Sequence, residues 1–101
     1  MPEHDRNERE PDDALAEVTR EYRASLPGTC EAIRAAVAAG DLAALRQIAH
    51  QTRGAAGMFG YHGLTETAGL LEDAIVEGQD HELILELADE FLSGIQASRF
   101  E

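Results

Sequence analysis

Apolar residues recur along the chain at steps of three and four, in blocks separated by glycines. In the first block Leu15, Val18, Tyr22, Leu26, Cys30, Ile33 and Val37 keep this spacing, which places them on one face of a helix. Pro27-Gly28 interrupts the block. A proline there should end one helix and open another, yet the stripe holds its phase across it. The pattern predicts one kinked helix or two nearly coaxial pieces, with Asp12 or Asp13 as the N-cap.

Gly40 suits the end of that block and Asp41 the cap of the next. A second helix is predicted from about Leu42 to Phe59, with Leu42, Leu45, Ile48, Ala49, Thr52, Ala55 or Ala56, and Phe59 inward. Gly60 breaks it. A third begins near His62 or Gly63, buries Leu64, Ala68, Leu71 and Ile75, and carries Glu66, Glu72 and Asp73 outward. Gly78 ends it and Asp80 can cap a fourth, which buries Ile84, Leu87 or Ala88, Phe91 and Ile95 and frays near Ser98. No stretch alternates with the two-residue period of a strand. Short connections between amphipathic helices predict an all-α, antiparallel up-down four-helix bundle over residues 12–98, with 99–101 a frayed end.

Composition narrows this picture. A chain of 101 residues supports one core. Residues 1–11 hold two prolines among acids and arginines, with nothing to bury, and read as a disordered acidic tail rather than a signal peptide. No window approaches the roughly 20 apolar residues of a membrane span, so a soluble cytoplasmic protein is expected. A net charge of −12 argues against nucleic acid and anionic membrane as partners. The single cysteine, Cys30, allows no intramolecular disulfide and no multi-cysteine metal site, and its place on the stripe makes it a small core residue. His4, His50, His62 and His81 form no HxxxH or HxxH pair, so no metal site is expected, and His62 and His81 read as surface residues.

His50 is different. At about 100° per residue it falls about 150° from the centre of the second helix's apolar stripe, together with Arg46, Arg53, Gly54 and Gly57. It should face solvent. Neutral imidazole is a good nucleophile near pH 7, and an exposed ring can attack an electrophilic phosphorus brought by a partner. Arg53, one turn on, lies beside it and can hold phosphoryl oxygens with its planar fork. Glycine inside a helix costs roughly 1 kcal/mol against alanine, so Gly54 and Gly57, off the core stripe, read as clearance for another protein's approach. The alternative is that Gly57 and Gly60 loosen the helix end. Met58 either adds an apolar docking contact or packs on a neighbouring helix. None of the 20 acids falls between Leu42 and Thr65, which favours an incoming phosphoryl group.

The run Ala49-His50-Gln51-Thr52-Arg53-Gly54-Ala55-Ala56-Gly57-Met58-Phe59-Gly60 resembles the signature of histidine-containing phosphotransfer (HPt) domains. Gly40-Asp41-Leu42, Leu64 and Leu71-Glu72 are also similar to that family, and the likeness covers roughly Leu15 to Ile95. The resemblance implies a four-helix bundle with His50 as phosphoacceptor, modified at Nε2. It implies exchange with receiver-domain aspartates of response regulators in a two-component phosphorelay, with a hybrid histidine kinase as a further candidate partner. Arg53 takes the place where the family usually has lysine, and Gly54 that of its small neighbour. Arg46, Gln51, Gly54, Gly57 and Met58 are then the candidate docking residues. The resemblance also implies that the Mg²⁺ belongs to the receiver, so that the chain needs no cofactor of its own and is a carrier rather than an enzyme; a bundle with a polar outer surface suggests a monomer, with a dimer left open.

Two readings compete. A histidine kinase core would need an acid directly after the histidine and a proline a few residues on, but Gln51 follows His50 and no proline follows Pro27. No kinase domain follows either, so a free-standing carrier or an excised fragment is expected. An interaction module that binds a receiver or kinase without accepting phosphate is the remaining alternative. Retention of His50 with its cation speaks against it.

Overall fold

The computed structural model describes residues 11–98, and the side chains of all of these except residues 11–13 and 15. The chain forms four helices: α1 (Pro11–Ala39), α2 (Leu42–Met58), α3 (His62–Val76) and α4 (His81–Ser98). No strand occurs among the described residues. Residues 1–10 and 99–101, read as a tail and a frayed end, lie outside the described residues. Pro11, assigned to the tail, is already helical, and Asp12 and Asp13 are inside α1, so neither is its N-cap.

Helix α1 runs through Pro27 as one element. The proline removes a backbone donor, but the stripe on both sides of it is anchored: Leu26, Cys30 and Ile33 are all buried. Val18, placed on the same stripe, is 46% exposed. Length is the reason. At about 1.5 Å per residue, the 29 residues of α1 outreach the 15 to 18 of the other helices, and its early turns extend past their partners.

The helix ends follow the glycine punctuation. Gly40, Gly60 and Gly78 adopt positive φ of 67°, 83° and 69°, the left-handed conformation that closes a helix C-terminus. Asp41 caps α2, its Oδ1 accepting from the Ala44 N–H at 3.0 Å. The Asp80 carbonyl accepts the Ile84 N–H at 3.1 Å. Each helix packs on two others, in the cyclic order α1–α2–α3–α4–α1. Connections of two to four residues join packed neighbours, the pattern of an up-down bundle.

The core is built from all four elements. Leu26, Ile33, Leu45, Leu71, Phe91 and Ile95 are its largest fully buried side chains, each worth about 1.5–3 kcal/mol of burial. On α2 the buried positions are Leu45, Ala49, Thr52 and Ala56, as the stripe requires, while Leu42 at the helix edge is 37% exposed. At the α2–α3 turn the Tyr22 ring stacks on Phe59 with centroids 4.9 Å apart and lies 5.8 Å from Tyr61. Arg23 donates to the Tyr61 hydroxyl from both Nε and Nη2 at 3.4 Å. Ser98, the expected point of fraying, is buried, and its hydroxyl donates to the Gly94 carbonyl at 2.8 Å.

Candidate functional site

The same α2 stripe that buries Ala49 and Thr52 turns His50 outward, and its side chain is 65% exposed. The ring is nevertheless held. Its Nδ1 lies 2.8 Å from Oε2 of Glu72 on α3. Glu72 is almost entirely buried, and its other oxygen, Oε1, accepts from Nη1 of Arg53 at 3.4 Å. Arg53 also approaches Oδ1 of Asp73 at 3.8 Å. One carboxylate therefore ties together the two side chains that the α2 sequence places on one face.

This corrects the assignment of Glu72 to the outer side of α3. Glu72 follows Leu71 and lies one turn after Ala68, both buried. It therefore sits on the shoulder of the stripe that faces α2. Its length lets the carboxylate reach the cleft edge while the stem stays packed. The acid-free stretch from Leu42 to Thr65 is likewise acid-free along the chain but not in space. The missing local counter-charge was the available signal: with no acid in their own helix, His50 and Arg53 can be paired only by an acid on a neighbouring one.

The electrostatics of Glu72 follow from its contacts. Burial pushes its carboxyl up; the hydrogen bond and charge of His50, then those of Arg53, outweigh this and hold it below its ordinary value. An ionised carboxylate only accepts, so the His50 Nδ1 facing it must carry the proton. In the neutral ring that leaves the lone pair on Nε2, on the exposed side. The chemical consequence is a histidine whose nucleophilic nitrogen is fixed by its partner.

Gly54 lies open beside this pair, with no atom within 4 Å of where a Cβ would stand. His50, Arg53, Gly54 and Glu72 line one open depression of about 380 Å³. Gly57 is exposed but not merely clearance, since a Cβ there would meet the Thr65 hydroxyl at 3.6 Å, in ordinary contact with α3. Met58 is 75% exposed, so the packing alternative for it is wrong; it lies at the very end of α2, beyond the reach of a neighbour. Arg46 is exposed one turn before His50. Gln51 turns to the other flank, where it lines the α1–α2 groove with Tyr22, Ser25 and Gly28. His62 and His81 are exposed first residues of α3 and α4. The sequence reading missed Gly69 as well: Arg53 lies across its backbone.

No group of three or more potential metal-ligating side chains occurs among the described residues, and no described helix is long and apolar enough to cross a membrane. Comparison with curated proteins and with solved structures gives no match. Comparison with family models gives the Hpt domain over residues 17–100, which includes every residue of the site. The chain belongs to the Hpt domain family, whose members carry phosphoryl groups on histidine in phosphorelays.

Proposed function

We propose that this chain carries a phosphoryl group on Nε2 of His50 and exchanges it with the aspartates of response-regulator receiver domains, including those of a hybrid kinase. The observation that carries this reading is the 2.8 Å contact between His50 Nδ1 and buried Glu72 on an otherwise exposed ring. In the forward step the Nε2 lone pair attacks the phosphorus of the receiver's aspartyl phosphate. The N–P bond forms, the P–O bond to aspartate breaks, and the aspartate leaves as carboxylate. The Nδ1 proton stays in place, so the ring becomes cationic, and Glu72 offsets that charge. Arg53 offers its guanidinium to the phosphoryl oxygens. The reverse step retraces the same path.

Mg²⁺ and the acids that hold it belong to the receiver, and the chain works as a carrier with no cofactor of its own. Gly54 leaves the approach to Nε2 open; Arg46 one turn before His50 and Gly57 and Met58 further along α2 extend the docking surface, and Gln51 would meet a partner on the α1–α2 flank. The setting is a cytoplasmic monomer. The test is transfer of label from phosphorylated receiver domains to wild type and to His50→Gln. Acid-labile, alkali-stable label on wild type and none on the variant is expected. Binding of receivers without any label on wild type would replace this reading with a non-transferring interaction module.

A further inference from the structure

We infer that Gly69 is a positioning residue for phosphotransfer, the bare seat on α3 that keeps the Arg53 guanidinium beside the phosphoryl site. The inference rests on His50 being the phosphoacceptor. Gly69 is buried in the middle of α3, where glycine is a poorer helix former than alanine. A Cβ built on it would stand 3.1 Å from Arg53 Nε, 3.2 Å from Cζ and 3.6 Å from Cδ. The Nε–Cζ end of Arg53 thus packs against the helix where a side chain is missing. From that seat it reaches Glu72 at 3.4 Å and Asp73 at 3.8 Å, and it lines the same depression as His50.

The fit is specific to arginine. A guanidinium is a broad plane and needs a flat surface; a lysine ammonium is a compact point on a thin stem and does not. The chain contains no lysine, and an arginine at position 53 is accommodated by a glycine at position 69 on the facing helix. Because the crowded atoms are the far end of a flexible side chain, Gly69→Ala should leave the bundle intact and move only Arg53.

The experiment is a double-mutant cycle of Gly69→Ala and Arg53→Lys, read by two observables. One is the carboxyl titration of Glu72 by NMR in the unphosphorylated protein. The other is the rate of phosphotransfer from a receiver. Gly69→Ala alone should melt no lower than wild type, titrate Glu72 at higher pH, and transfer about tenfold more slowly, the scale of coupling between contacting charged residues. In the Arg53→Lys background the same alanine should change neither observable. Equal slowing in both backgrounds, or no change in the arginine background, would overturn the inference. Absence of label on wild type would sink the phosphocarrier reading; an unmoved Glu72 titration would sink the seat by itself, so the two failures are distinguishable.

Discussion

Glu72 combines two properties that ordinarily conflict, since it is buried and it stays ionised. Its two oxygens are divided between His50 and Arg53, and these partners lower its pKa against the upward push of burial. The folded value lies below the unfolded one, so the carboxylate stabilises the fold above the ordinary value of 4.5, and that contribution is lost as pH falls through the lower folded value. Glu72→Gln should therefore lose about 1 kcal/mol at neutral pH, the scale of a hydrogen bond to a charged group discounted for two exposed partners. The difference from wild type should shrink as melting is measured at progressively lower pH below 4.5. A difference that stays constant through this range would show that Glu72 does not titrate as the geometry requires. His50 and Arg53 were legible as a pair from their spacing alone. Glu72 was not, because helical phase separates core from surface but does not say which neighbour a shoulder position meets.

At the scale of elements, punctuation and periodicity carried most of the information. Gly40, Gly60 and Gly78 mark three chain reversals by their positive φ, and Asp41 caps α2 as its place before an apolar run suggests. Asp41→Ala removes that bond and should lower stability by about 1 kcal/mol, measured by chemical denaturation; no change would mean that the Ala44 N–H is satisfied equally well by water. The steps of three and four located each core stripe, but put Glu72, on the shoulder of the α3 stripe, outward and overreached where helices run past their partners. Val18 and Leu42 hold the right phase but lie where neighbouring helices no longer cover them. Coverage depends on relative helix lengths and offsets, which local periodicity does not contain. Pro27 was ambiguous for a related reason: its local cost argues for a break, and only burial on both sides shows one helix continuing.

At the scale of the molecule, the bundle places His50 at the α2–α3 seam, where a buried acid sits behind the ring and open space lies in front of it. The chain carries −12 overall; at the seam Arg46 and Arg53 stand on the His50 side of α2, with Glu72 and Asp73 of α3 facing Arg53. Gly54 borders the opening with no atom near its missing Cβ. Gly54→Leu should leave the melting temperature nearly unchanged and slow transfer from receivers by more than about tenfold, the loss from misplacing reacting groups. Unchanged transfer kinetics would remove the steric-access argument. The most direct test of the whole account is the nitrogen spectrum of the phosphorylated protein, which reports which imidazole carries phosphorus and on which atom. One phosphohistidine, at His50, with phosphorus on Nε2 and the proton retained on Nδ1, is the predicted result. Phosphorus on Nδ1 of His50, or on His4, His62 or His81, would contradict it.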